Sequence, residues 1–313
     1  MFPFTGFSDS DFDAYAPEKW QSRMFTRERM EVKQKLLSLE KLIRAELGDD
    51  LTGLAADVTT ESPSVWNRNE VRDQWLFYVR DDAASKKLAP LVAKDRSLAL
   101  DLMDPARHCQ HAAMALVVDQ QGPEVGVYLH TNAHLDRRNL ASMLKESYTR
   151  EQLADFLAAL PDDFIVSNGE QSKAANQVKA DPTSILLAET EGEDSWIRLA
   201  ARFDRDAPEV RSRDLAQAAA ERFREYLLPL YHLIAWSDEN DHLGLKKEIA
   251  EQKKQRKRKA LSLKPGDTVR ITEGSFAGKV GQIVEIDRKG VAAVRLGAMT
   301  ARIEGQFLTP AKG

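Results

Sequence analysis

The sequence predicts two unlike folds in one chain: an α+β domain with an antiparallel sheet and long helices over residues 1–238, and a small all-β barrel over 263–313. Three observations carry this. Upstream, strand-like and helix-like stretches come in clusters and do not strictly alternate, which argues for an antiparallel sheet with helices packed on it. From 264 to 310, short β-branched runs alternate with glycine-bearing turns. Between the two, residues 239–262 form a basic connector, where the charge of the chain reverses sign.

The first domain begins with Ser8 and Asp11, which read as a helix N-cap and its reciprocal acid for a short helix through Tyr15. Pro17 suits the first turn of a long helix running to about Leu47, with Met24, Val32, Leu36, Leu39 and Ile43 at helical intervals and Gly48 ending it. Residues 49–69 are polar and turn-rich; Gln74 to Val79 then read as a buried strand. Trp66 and Trp75 read as core, since tryptophan contributes chiefly through burial. Strands at 112–118 and 125–130 form a hairpin across 119–124, followed by helices at 136–147 and 150–159 and a strand at 164–166. Residues 168–182 read as a polar loop, and 185–188 with 196–203 as a strand pair across an acidic turn at 189–194. A long helix over 208–236, kinked at Pro229, closes the domain.

In the tail, Val269 and Ile271 point one way from the first strand and Thr268 and Arg270 the other. Gly274 and Gly278 return the chain through a loop whose tip is Phe276. The alternation breaks at Ile283-Val284, as at a bulged barrel corner that Gly281 also fits. A tight turn at 287–290 leads to a strand at 291–296 and then to a last strand with Ala301 and Ile303 inward, and Phe307 and Leu308 plug the open end.

Composition sets the functional bounds. With 42% hydrophobic and 30% charged residues the chain reads as a soluble globular protein. No apolar run is long enough to cross a bilayer, and Met1-Phe2-Pro3-Phe4-Thr5 lacks the charged segment of a signal peptide, so a cytoplasmic protein with no membrane partner is expected. A single cysteine, Cys109, excludes an internal disulfide. The net charge of −4 conceals sixteen Lys and Arg against seven Asp and Glu from Leu245 onward, which leaves −13 on the rest. A basic tail on an acidic body is the pattern of a polyanion-binding appendage.

The tail resembles the KOW module, the five-stranded SH3-like barrel of NusG-type transcription factors and of several ribosomal proteins. The likeness rests on Gly266-Asp267, Val269, Gly274, Phe276, Gly278 and Gly281, and on the later pattern over 296–308. It implies docking on RNA or on a ribosomal or transcription protein, with Phe276 in the first long loop as an exposed anchor or stacking ring, or else folded over the barrel mouth as core. Arg270, Lys279, Arg288, Lys289, Arg295 and Arg302 alternate with inward residues and so face outward as phosphate contacts, or as solvated surface. In the connector, Lys253, Lys254, Arg256, Lys257, Arg258 and Lys259 form a basic helix or a charged spacer. No NusG-type N-terminal domain precedes the barrel. The body has a faint likeness to uncharacterised bacterial YktB-like proteins, through Gly6-Phe7, Asp11-Phe12-Asp13, the long helix and the Trp75 strand, and no function follows from it.

Chemistry-bearing clusters in the body are sparse, and no cofactor or small-molecule ligand is indicated. If Val118 sits opposite Val125, His111 and His130 lie diagonally on one face of the hairpin, as a weak metal pair or as hydrogen-bonded histidines at a sheet edge. Asp162, Asp163, Glu170 and Lys173 depart from the acid-x-Lys spacing of a nuclease. Gly169 and Gly192 are isolated, so no phosphate-cradling loop exists outside the tail, and no serine nucleophile elbow is present. The leading expectation is a non-catalytic, transcription- or translation-associated factor that docks through its tail. The alternative is a nucleic-acid-directed enzyme recruited by it.

Overall fold

The computed structural model describes residues 3–86, 88, 106–169, 171–178, 182–188, 195–247, 250, 263–272, 274–287 and 290–311. The chain divides into two compact units, Met1–Leu243 and Gly244–Gly313.

The first unit is built on a seven-stranded antiparallel sheet in the order β1-β2-β3-β4-β7-β5-β6. Its strands are β1 (Leu54–Val58), β2 (Asp73–Arg80), β3 (Ala113–Asp119), β4 (Gly122–His130), β5 (Phe164–Asn168), β6 (Gln171–Ala174) and β7 (Trp196–Arg202). The central strands are buried on both faces, which explains why β2, β3 and β4 read as near-continuous apolar runs. One face, with Leu76, Tyr78, Met114, Leu116, Val127 and Leu199, joins the main core together with the helices. The other carries a separate cluster of Trp75, Phe77, Val79, Ala113, Ala115, Val117, Tyr128 and Ala200.

Helix α1 (Asp9–Asp13) has the expected reciprocal cap: the Ser8 amide and hydroxyl both donate to Asp11 Oδ2, at 2.6 and 2.8 Å. Helix α2 spans Thr26–Leu47, starting later than Pro17, because two 3₁₀ turns at Pro17–Lys19 and Arg23–Phe25 occupy the approach. Arg29 is the cause. Its side chain is fully buried and donates to the backbone carbonyls of Ala14, Lys19 and Ser22, so those carbonyls curl around a guanidinium where a helix would use them internally. Val32, Leu36, Leu39 and Ile43 are buried as expected, whereas Met24, ahead of the helix, is 87% exposed.

Further helices are α3 (Arg107–Gln110), α4 (His134–Met143), α5 (Ser147–Ala159), α6 (Thr183–Leu186), α7 (Leu215–Arg222) and α8 (Leu228–Ile234). Three local expectations are corrected. Strands β1 and β6 lie in stretches that read as loops; both are edge strands with one partner, β6 is polar, and β1 is a short Leu-Ala-Ala-Asp-Val run. Residues Thr183–Leu186 are helical, and β7 pairs with β4 and β5 instead of with 185–188. The closing helix begins at Leu215, and its irregularity is a π turn at Phe223–Leu227 that passes into α8, where Pro229 sits in the first turn. Proline has no N–H to return to the preceding turn, and the widened turn accommodates that loss.

Four segments of this unit meet at one buried ion pair. Arg80, ending β2, donates through both terminal nitrogens to Asp136 in the first turn of α4. Asp136 also accepts the amides of Ala112, just before β3, and Trp236, just after α8, each at 2.8 Å. Arg80 Nη2 donates to the Trp236 carbonyl at 2.7 Å. Burial opposes ionisation of Asp136, but the Arg80 guanidinium outweighs it and holds the carboxyl below its ordinary range. Hydrogen bonds from Asn139 to the Asn240 carbonyl and from the His242 amide to Asn139 extend this unit past residue 238.

The second unit is a five-stranded antiparallel sheet in the order β11-β10-β9-β8-β12, consistent with an SH3-like barrel. Its strands are β8 (Thr268–Ile271), β9 (Val280–Ile286), β10 (Val291–Leu296), β11 (Met299–Glu304) and β12 (Leu308–Pro310).

Candidate nucleic-acid interface

The barrel interior is set by alternation. Leu263, Val269, Ile271, Ile283, Ala292, Val294 and Leu308 form its core, with Ile286, Leu296 and Ile303 around it. The register on β10 slips between Ala293, opposite Glu285, and Val294, opposite Ile283, so Val284 is the extra residue of a bulge where the alternation breaks in the sequence. Gly281 serves a different purpose from a bend. A Cβ there would meet Arg295 O at 2.4 Å and Val294 Cγ1 at 2.7 Å, so β9 passes under β10 at a distance that only glycine permits.

The loop after β8 closes tightly. The Gly278 amide donates to Ile271 O at 2.8 Å and the Ile271 amide to Lys279 O at 2.9 Å, with Gly274 and Gly278 at positive φ. Phe276 in this loop is half-buried and packs against the barrel core, with Lys279 Nζ 5.8 Å from its ring centroid. The expected exposed ring at the loop tip is therefore folded inward, because an apolar side chain beside an open barrel end gains burial there.

The outward cations differ in how they are engaged. Arg270, Lys279 and Arg295 are exposed and have no carboxylate partner among the described residues. Arg302 is held by Asp287 at 2.9 Å. Arg288, Lys289 and the connector residues Lys253, Lys254, Arg256, Lys257, Arg258 and Lys259 lie outside the described residues. Register brings Arg270 opposite Val280 and Arg295 opposite Gln282. It also aligns Thr268, Gln282, Arg295 and Thr300 in one row across β8, β9, β10 and β11, all four exposed. Sequence reading identifies the arginines but misses this row, since neutral polar residues on an outer face carry no signal until the strands are paired.

A family model for the KOW motif matches residues 265–296, which contain the first three strands of this sheet and the loop with Phe276. The C-terminal barrel carries a KOW motif. A search of curated proteins found no match for the chain. A KOW motif suggests a role associated with RNA, the ribosome or transcription in general terms, and among the described residues no helix is long and apolar enough to cross a membrane.

The candidates in the body make separate contacts. Strand β3 pairs with Leu116 opposite Val125 and Val118 opposite Pro123, two residues away from the expected register, because Gly122 and Pro123 begin β4 instead of forming the turn. His111 contacts Arg80 through Nδ1 at 3.2 Å, while the ring of His130 packs on Trp196 with centroids 4.7 Å apart and its Nδ1 accepts the Asn132 amide. Among the described residues no group of three or more His, Cys, Asp or Glu is placed to hold a metal ion. Of the nuclease-like group, Asp163 pairs with Arg222 at 2.8 Å and Asp162 accepts from Asn176 at 2.7 Å; Lys173 is exposed on β6, and Glu170 lies outside the described residues.

Two titrating groups border the second face of the body sheet. Asp73 faces Asp119 in register and is raised to about 6, by burial first and by the Asp119 charge, against a hydrogen bond from Trp75 Nε1 at 2.8 Å. His108, in α3, packs among Trp75, Phe77 and Trp196, and burial first, with His130 second, lowers its pKa to about 4. A histidine kept neutral by the fold stabilises it above the unfolded-state pKa of about 6.5, and that contribution is lost as pH falls toward 4. Substituting His108→Phe is expected to remove ~2 kcal/mol of acid sensitivity over this window. Urea unfolding at pH 7 and at pH 5 checks this, and an unchanged slope of stability with pH in the variant would refute it.

Proposed function

We propose that this protein is a non-catalytic RNA-docking factor that binds RNA through its KOW barrel and so associates with the translation or transcription apparatus. The observation that carries the reading is the set of Arg270, Lys279 and Arg295, exposed and without carboxylate partners among the described residues, on the domain that bears the KOW motif. Phosphate attraction is additive in such charges and independent of base sequence. The inward packing of Phe276 favours RNA over a protein partner, since a docking anchor needs a ring free to enter a partner's pocket.

Full-length protein is expected to bind RNA with an affinity that falls steeply with salt. The double substitution Arg270→Ala and Arg295→Ala should reduce the slope of log K against log salt by about 2, one for each phosphate that is no longer neutralised. Fluorescence anisotropy against a salt series measures this. Absence of binding, or binding that ignores both salt and the substitutions, refutes the reading.

A further inference from the structure

We propose that the outer face of the KOW barrel takes double-stranded, A-form RNA, held by sugar and phosphate, in preference to an unstacked single strand; this rests on the RNA reading above and narrows it. Proteins that hold single strands stack bases on exposed aromatic rings. Residues 263–313 contain two aromatics, Phe276 and Phe307, and both are half-buried, Phe276 against the core. The face offers no ring on which an unpaired base would stack.

What it offers instead is the row of Thr268, Gln282, Arg295 and Thr300, mutually paired across four strands. Adjacent strands are about 4.8 Å apart, so the row presents hydroxyl, amide, guanidinium and hydroxyl along about 14 Å of a continuous surface. Gln282 Nε2 donates to the Gly266 carbonyl at 3.0 Å, which fixes the amide and leaves its oxygen as an acceptor. Arg270, two residues along β8 from Thr268 and opposite Val280 on β9, adds a second cation beside the row. Two acids share this side off the row: Glu285, opposite Ala293 at the bulged end of β9, and Glu304, opposite Val291 at the end of β11. The wide, shallow minor groove of A-form RNA displays 2′-hydroxyls flanked by phosphates, and it is read by shape and by polar contacts of this kind.

The test uses the full-length chain and three probes of one sequence: a blunt RNA duplex of about 16 base pairs, the corresponding DNA duplex, and an unstructured single RNA strand. The RNA duplex is expected to bind about tenfold tighter than either of the others. Arg295→Gln, an exposed and conservative change, should weaken duplex RNA binding about tenfold. The pair Thr268→Val and Thr300→Val should narrow the preference for RNA over DNA while leaving DNA affinity unchanged. A single strand bound as tightly as the duplex overturns the proposal, and equal affinity for the DNA duplex overturns the 2′-hydroxyl contact. Failure to bind any of the three probes would instead strike at the RNA reading itself, so the two failures are distinguishable.

Discussion

Replacing Asp136 with alanine is expected to destabilise the body by about 3–5 kcal/mol, the cost of stranding a buried charge. Both side chains of the pair are nearly inaccessible, 7% for Arg80 and 0% for Asp136. Without the carboxylate, the Arg80 guanidinium stays buried with the Trp236 carbonyl and His111 as its remaining side-chain hydrogen-bond partners among the described residues, and the amides of Ala112 and Trp236 lose their acceptor. Those amides stand at the entry of β3 and the exit of α8, so the change loosens the junction of sheet and closing helix together. Removing both charges behaves differently, since an apolar pair of similar volume avoids the desolvation cost of both ions. Arg80→Met with Asp136→Leu should therefore recover much of the stability that Asp136→Ala removes. Urea midpoints followed by tryptophan fluorescence measure each step. A loss below about 1 kcal/mol for Asp136→Ala would show that the junction is held elsewhere.

The second large effect is expected from Gly281→Val, which should unfold the KOW barrel and leave the body intact. A Cβ at this position already collides with the Arg295 carbonyl and the Val294 side chain, and Val294 belongs to the barrel core. Strands β9 and β10 would have to separate, and a seven-residue core with few further apolar neighbours has little reserve against that. The readouts separate cleanly because all five tryptophans lie within residues 1–243. Tryptophan fluorescence and its urea midpoint should match the parent protein while RNA binding disappears. Retention of RNA binding in Gly281→Val would move the binding surface off the barrel and onto the basic connector.

The two mutations bear on how far this chain reveals itself before it is folded. In the tail, a local code was enough. Alternating Val269 and Ile271, the glycines at 274 and 278 and the broken pattern at Ile283-Val284 each map onto one strand, loop or bulge, because in a small barrel every element is short and its neighbours are close in sequence. The outward cations were legible for the same reason. The fate of Phe276 was not, since whether a loop ring points out or folds over the barrel mouth depends on an opening that several strands create together.

In the body the balance shifts. The buried strands β2 and β4 and the core stripe of α2 stand out in the sequence because burial demands apolar side chains at fixed intervals. The edge strands β1 and β6 escaped notice, β6 because its exposed residues are polar and β1 because its run is only five residues long. The hairpin register turned on whether Gly122-Pro123 made the turn or began the strand.

By itself, then, the sequence determined the antiparallel α+β class, the C-terminal barrel and its cationic exterior, all of which follow from periodicity, glycine placement and charge along the chain. Only the tertiary structure decided that Arg80 meets Asp136 across 56 residues of sequence, that Arg29 bends the chain ahead of α2, and that Thr268, Gln282, Arg295 and Thr300 fall into one line. Contacts of that kind depend on strand register and helix docking, which are set by the packing of the whole domain and leave no periodic trace in the residues that make them.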